Sequence, residues 1–220
     1  MHRIWVVGVS VATLLVVILF GSTSAASRGT VSMSKLHLEQ IVAHSASVYA
    51  AAVLVVGPTE ILLWDAQYHT GDARRIADQV AADGKHLKAI VISHPALDHY
   101  LGASTIVERF PGTPVYMTAV TLEEFNRTAP ENLESNRKRH PADFPDKLVS
   151  PQVLPSDHRT VDGEPVEVVP DLQGDVLRPS NSFFWIPSLR AVLAGDLVFN
   201  GAHPWLGASA KAREPPGVCH

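Results

Sequence analysis

The stretch Ile90-Val91-Ile92-Ser93-His94-Pro95-Ala96-Leu97-Asp98-His99-Tyr100-Leu101-Gly102 decides how this chain is interpreted. It opens with the end of a short apolar run, residues 87–92, which predicts a buried strand. Two histidines and an aspartate follow the strand at once. A turn after a strand can direct such side chains toward one volume, and imidazole with carboxylate is the donor set of hydrolytic zinc sites. The stretch therefore predicts a divalent-metal site that includes His94, Asp98 and His99.

Spacing alone leaves a second interpretation of the same stretch. A His-Asp pair can form a surface turn in which Asp98 caps the following helix. Under that interpretation the two histidines are exposed and bind nothing. Whether the side chains are buried together or spread over the surface separates the two interpretations.

The flanking sequence predicts an α/β layered domain, because hairpins and crossover helices alternate along it. Asp72 is the predicted N-cap of the first helix, and Gly84 ends that helix. Asp65, the His94 group and Asp196 all follow predicted strands, so they can meet at one edge of a sheet. The predicted strands are residues 47–56, 60–64, 87–92, 115–117, 166–169, 183–186 and 190–194, and the predicted helices are residues 72–83 and 102–110.

One long polar segment, residues 121–154, combines helical stretches with several prolines. We expect it to run over the surface and to form part of the rim of a substrate groove. Its basic cluster, residues 137–140, is short and is interpreted as a solvated helix end or turn.

Composition narrows the class of protein. The chain has 220 residues, 46% of them apolar, and a formal net charge of -4. This suits one domain with a sizeable core, and the absence of a basic stripe in the sequence argues against nucleic acid as a partner. The single cysteine, Cys219, excludes an internal disulfide and a cysteine-rich zinc cluster.

The N-terminus predicts export from the cytosol. Residues 1–26 join a short positive start, the apolar run 4–20 and a small-residue segment, which is the pattern of a signal peptide. The alternative is an uncleaved membrane anchor through residues 4–20. We expect a secreted or periplasmic protein, in contact with a membrane only if this segment is uncleaved, with its domain at residues 35–220.

The histidine stretch resembles the signature loop of the metallo-β-lactamase superfamily, which is a strand, Thr or Ser, then His-x-His-x-Asp-His and x-x-Gly. Residues 62–65 resemble the family's upstream strand ending in a structural aspartate, here Asp65, and residues 192–196 resemble its later strand ending in a metal-bridging aspartate, here Asp196. The resemblance covers roughly residues 47–206. It implies an αββα sandwich with metals in the groove between its halves, C-terminally short in this chain.

The resemblance also implies an incomplete ligand set. His94, Asp98, His99 and Asp196 match family ligands, with Asp98 also the catalytic residue that helps to activate water. The second histidine falls on Ala96, and the third falls in residues 172–175, where we place its loss at Gly174. The last ligand would lie beyond Asp196, past the end of the chain. We therefore expect one zinc ion at most, weakly bound.

Three functions follow from this resemblance. The first is a metal-dependent hydrolase of an ester, thioester or lactam, impaired by its missing ligands, with a small molecule as substrate. The second is a non-catalytic relative that acts as a binding or structural module. The third is a truncated copy that folds poorly. The fold does not choose among them, so the site must.

Overall fold

The computed structural model describes residues 34–44, 47–155, 159–176 and 178–199, together with the backbone of two short N-terminal strands. The strands are β1 (Ile4–Val7), β2 (Val16–Leu19), β3 (His37–Val42), β4 (Ala51–Val56), β5 (Glu60–Trp64), β6 (His86–Val91), β7 (Val115–Met117), β8 (Gln152–Val153), β9 (Thr160–Val161), β10 (Glu164–Pro165), β11 (Glu167–Leu172), β12 (Asn181–Ile186) and β13 (Ala191–Leu193). The helices are α1 (Thr70–Asp83), α2 (Leu97–Tyr100), α3 (Ala103–Arg109) and α4 (Ala119–Arg139), and a 3-10 turn spans Gly195–Leu197.

Two sheets organise the fold. The larger has six strands in the order β3-β4-β5-β6-β7-β8, and the smaller has three in the order β11-β12-β13. In the larger sheet, the pairs from β3 to β5 are antiparallel and those from β5 to β8 are parallel. Parallel strands end at one edge of a sheet, so the segments after β5 and β6 are brought side by side.

The larger sheet is buried on both faces. Along β4, Ala52, Leu54 and Val56 pack toward the helices, while Val53 and Val55 pack toward the smaller sheet. Trp64 and Phe184 lie in the core between the sheets, with ring centroids 4.0 Å apart. Burial on both faces explains why these strands are continuous apolar runs rather than alternating ones.

The helices α1, α3 and α4 supply residues to the core on the other face of the larger sheet, among them Ile76, Ile106 and Phe125. The described residues thus form a helical layer and two sheets, which confirms the predicted α/β sandwich. A helical layer on the far side of the smaller sheet does not occur among the described residues.

The predicted N-cap of α1 is wrong. The helix begins at Thr70, its N-cap is His69, and Asp72 lies inside the first turn. Asp72 is 4% exposed and is held by other residues: it accepts a hydrogen bond from Ser47 Oγ and contacts His44 and Arg75. Burial alone would raise its pKa, but Ser47 and His44 outweigh burial and hold the pKa of Asp72 below its usual value. The predicted end of the helix at Gly84 is confirmed, with φ at 66°.

The expected surface excursion is largely one helix, which corrects that prediction. Thr118 caps α4 by accepting a hydrogen bond from the Thr121 backbone N–H at 3.2 Å. Three side chains of its inner face, Phe125, Ala129 and Leu133, are buried in the core. Three apolar side chains, four residues apart, pack this helix against the core although its other faces are polar.

The predicted signal peptide falls mostly outside the described residues. Within it, β1 and β2 pair as an antiparallel hairpin. No helix of the described residues is both long and apolar enough to span a membrane. The prediction of export stays a prediction.

Candidate metal centre

The histidine stretch forms the turn between β6 and α2. The N-cap of α2 is Ala96, so Asp98 lies within the helix and does not cap it. His94 is fully buried and His99 is 3% exposed. These two facts rule out the alternative of a solvent-exposed His-Asp turn.

The glycine that ends the stretch has a steric function. A Cβ atom on Gly102 would lie 2.0 Å from the carbonyl oxygen of Ala66. The Gly102 backbone N–H also donates to the Gln67 carbonyl at 2.9 Å. Only glycine permits this approach, which fixes the turn after β6 against the turn after β5.

Asp65 organises the base of the site. It is 1% exposed and has a left-handed backbone with φ at 61°. Its carboxylate accepts from the Ser93 backbone N–H at 2.7 Å, from Ser93 Oγ at 2.8 Å and from His99 Nδ1 at 2.8 Å. The predicted structural aspartate thus orients the histidine stretch rather than joining the ligands.

The same network sets the tautomers of both histidines. His99 donates from Nδ1, because the Asp65 carboxylate only accepts. Ser93 gives its one proton to Asp65, so its oxygen accepts from His94 Nδ1 at 2.8 Å. In the neutral form, both rings would therefore carry their lone pair on Nε2, the form in which a histidine binds a metal.

The two Nε2 atoms have no hydrogen-bond partner within the described part of the chain, although both are buried. Together with a carboxylate oxygen of Asp196 they form a group in which all three donor atoms lie within 4.8 Å of one another. The ring centroids of His94 and His99 are 4.1 Å apart. An unpartnered buried nitrogen is costly, and a cation in this group would remove that cost.

The distances from these nitrogens to the carboxylates suit ligands better than hydrogen bonds. From His99 Nε2 the separations are 3.5 Å to Asp98 Oδ2 and 3.4 Å to Asp196 Oδ1. A charge-assisted hydrogen bond would measure about 2.8 Å. Two donors at about 2.1 Å from one tetrahedral ion lie about 3.4 Å apart. The chemistry and the spacing of the donor set therefore fit a divalent metal ion.

Asp175 is a site residue that the sequence analysis missed. Its Oδ1 lies 3.5 Å from His94 Nε2, and its side chain is 5% exposed. It follows β11 on the smaller sheet, next to Gly174. The missed signal is the Gly-Asp dipeptide itself, because the resembled pattern is Gly-His and Asp175 stands where that histidine would be.

The placement of a lost ligand at Gly174 is wrong. A Cβ on Gly174 would lie 2.5 Å from Asn181 Nδ2, so a side chain there would displace the buried Asn181 amide. The position that faces His94 is Asp175. Ala96 holds no donor atom, as the sequence indicates. The predicted loss of a last ligand beyond Asp196 concerns a part of the chain outside the described residues.

Electrostatics in the group are dominated by carboxylates. Burial disfavours a charged His99, yet Asp65, Asp98 and Asp196 together raise its pKa well above the usual value. Burial would raise the pKa of Asp196, but His99 outweighs it and brings that pKa to about 2. For Asp98 too, His99 outweighs burial and lowers the pKa. These shifts favour the ionised forms of Asp98 and Asp196.

Fold and donor set together are those of an α/β sandwich with a group of side chains that could hold a metal ion. The family model of the metallo-β-lactamase superfamily matches residues 48–219, and the chain belongs to this superfamily. That membership supports a metal-dependent hydrolase family and confirms the resemblance found in the sequence. No curated protein matches this chain.

Solved structures show the same fold at low identity. The B3 metallo-β-lactamase BLEG-1 is 17% identical, with 74% of each chain covered and a TM-score of 0.57. TTHA1623 in a di-iron-bound form is 22% identical, with 69% of each chain covered and a TM-score of 0.50. VMB-1 is 18% identical with a TM-score of 0.43; the match covers 62% of this chain and 53% of VMB-1, so this chain spans about half of that protein.

Proposed function

We propose that this protein is a metal-dependent hydrolase of a small-molecule ester, thioester or lactam, with one weakly bound zinc ion at His94, His99 and Asp196. The observation that carries the proposal is the pair of buried imidazoles with free Nε2 atoms facing Asp196. A purely structural histidine pair would be expected to use both ring nitrogens in hydrogen bonds.

The open side of the group lies at its carboxylates. The side chains of Asp98 and Asp196 are 23% and 21% exposed, whereas both imidazoles are buried. A substrate and a water molecule therefore approach from the carboxylate side. A bound divalent ion supplies Lewis-acid polarisation of a carbonyl and a lowered pKa of water.

The protein's own residues have separate tasks in this proposal. Asp65 and Ser93 hold the imidazoles in the ligand tautomer. Asp98 is the catalytic residue: its carboxylate, ionised because His99 lowers its pKa, orients a water molecule and accepts the water's proton on an oxygen. The burial of His94 and His99 keeps bulk water from competing for their nitrogens.

One observation favours the second function, a non-catalytic binding module. Ala96 removes a donor from the turn that holds the other ligands, and loss of an imidazole weakens a metal site that is worth on the order of 10 kcal/mol in total. The two functions differ in whether the purified protein holds metal and turns over substrate.

The test measures metal content and hydrolysis together. Wild type, Asp196→Ala and the control Asp78→Ala, an exposed change on α1, are dialysed against limiting zinc and assayed by elemental analysis and with p-nitrophenyl acetate, an acyl thioester and nitrocefin. We expect bound zinc and hydrolysis in wild type and in Asp78→Ala, and loss of both in Asp196→Ala. A stable wild type without zinc or turnover would favour the binding module instead.

A further inference from the structure

We propose that Asp175 is a metal-binding residue, which binds the same ion as His94 and makes this site discriminate less strongly against harder divalent ions, Mn²⁺ or Fe²⁺, than an imidazole-rich site does. The inference rests on the proposed metal site and adds a donor, Asp175, that the sequence analysis above does not name. It also predicts how the site discriminates between Zn²⁺ and harder divalent ions.

The first support is the position of Asp175 relative to an orphaned nitrogen. His94 is fully buried, its Nδ1 is used by Ser93, and its Nε2 has no hydrogen-bond partner among the described residues. The Asp175 oxygen lies 3.5 Å from that Nε2. Two ligands of one tetrahedral ion are about 3.4 Å apart, so an ion between them satisfies both atoms without moving the side chains.

The second support is that Asp175 is held in place by its surroundings. It is 7% exposed, and Asn181 Nδ2 donates to its Oδ1 at 3.5 Å. Asn181 in turn fills the space beside Gly174, whose missing Cβ allows the close packing. The buried asparagine and the glycine together position the carboxylate. An aspartate that only faced solvent would not need this packing.

The third support is charge. Three carboxylates, Asp98, Asp175 and Asp196, lie against two imidazoles. Within the described ranges no lysine or arginine forms an ion pair with any of the three. Buried carboxylates need compensating charge, and a divalent cation supplies it at the point where they converge.

The donor set determines the metal preference. Replacing imidazole nitrogen by carboxylate oxygen moves a site from zinc toward manganese and ferrous iron, because harder ions favour oxygen ligands. Ala96 has no atom that can bind a metal, and Asp175 stands where an imidazole is expected. The site therefore has two imidazoles and up to three carboxylates. It should therefore discriminate less strongly in favour of Zn²⁺ than a three-imidazole site does.

The test measures binding of Mn²⁺ and Zn²⁺ to the full chain, by electron paramagnetic resonance of free Mn²⁺ and by competition with a chromophoric chelator. The variants are Asp175→Asn, Asp175→His and the control Asp171→Asn, which makes the same charge change at an exposed position of β11. We expect Asp175→Asn to weaken Mn²⁺ binding by about 10–100-fold. Asp175→His should raise the preference for Zn²⁺ over Mn²⁺ by about tenfold or more. Asp171→Asn should match wild type.

Each outcome decides the inference. Equal Mn²⁺ affinity in wild type and Asp175→Asn overturns it, and so does an unchanged metal preference in Asp175→His. If Asp175→Asn does not fold, the metal preference of Asp175→His decides alone. Metal lost in Asp196→Ala but kept in Asp175→Asn leaves the proposed function standing and refutes only the role of Asp175. A wild type that binds neither ion refutes both.

Discussion

Replacement of Asp65 by alanine tests the base of the metal centre more directly than a change to any ligand. Asp65 is buried and receives three hydrogen bonds, two from Ser93 and one from His99. After Asp65→Ala the Ser93 hydroxyl can donate to His94 Nδ1 only if His94 moves its proton to Nε2, and the Ser93 backbone N–H and His99 Nδ1–H lose their acceptor in either case. Two stranded buried donors at about 1–3 kcal/mol each predict a loss of about 2–6 kcal/mol in the free energy of unfolding.

Backbone strain adds to that loss and must be subtracted. Alanine tolerates a left-handed backbone less well than aspartate, by about 1–2 kcal/mol. Asp171 is a matched control, since its φ of 59° nearly equals the 61° of Asp65 and it is exposed. The difference between Asp65→Ala and Asp171→Ala therefore isolates the hydrogen-bond network. Asp65→Asn, which keeps one acceptor oxygen and tolerates the same backbone, should lose less than Asp65→Ala.

The assay is urea unfolding of the metal-free proteins, followed by tryptophan fluorescence, to which the buried Trp64 contributes. A second measurement is zinc affinity, which should fall by about 10–100-fold when the group that orients a metal ligand is lost. Free energies of unfolding of Asp65→Ala and Asp171→Ala within about 1 kcal/mol of each other would refute the argument that the hydrogen bonds to Asp65 stabilise the site.

Three further changes test the fold around the site. Gly102→Ala should destabilise the protein by about 1–3 kcal/mol, because its Cβ would lie 2.0 Å from the Ala66 carbonyl oxygen. The control Gly71→Ala has open space around its Cβ and should not destabilise the protein. Thermal melting compares the two variants with wild type. Asp72→Asn should destabilise the protein at neutral pH and match wild type at low pH. The reason is that a carboxylate with a lowered pKa stabilises the fold above the usual pKa of about 4 and loses that effect as pH falls through its folded-state pKa. An equal loss of stability at every pH, or the same loss in the control Asp78→Asn, would contradict this. Phe184→Ala should cost about 3–5 kcal/mol in urea unfolding, and a cost under about 1 kcal/mol would mean that the core between the sheets does not depend on this ring.

The strands and the histidine turn were predictable because their signals are local. The apolar runs of β4, β5 and β6 identify strands buried on both faces, and His94, Asp98 and His99 lie within one six-residue segment, the turn after β6 and the start of α2. Asp65 and Asp196 were predictable from strand ends, since strand ends meet at sheet edges. The structure brings His94, His99 and Asp196 into one group, with Asp98 beside His99.

What sequence reasoning missed depends on contacts between distant segments. Asp175 faces His94 only because the smaller sheet packs against the larger one, and nothing within residues 172–175 shows that. Asp72 resembled an N-cap, but its partner Ser47 lies 25 positions earlier in the chain. The helix α4 was obscured because its inner face has only a few apolar residues and Pro130 interrupts its pattern.

The hydrogen bonds between Ser93 and Ser182 join the two sheets at the site. The Ser93 carbonyl accepts from the Ser182 backbone N–H at 3.0 Å and from Ser182 Oγ at 2.8 Å. One sheet thus carries both imidazoles, and the other carries Asp175 and Asp196. A bound ion would cross-link the two sheets and so oppose any local opening between them. Added metal should then slow amide hydrogen exchange across β12 and β13 more than in α1, and chelation should make the smaller sheet the first part of the protein to be cut by a protease.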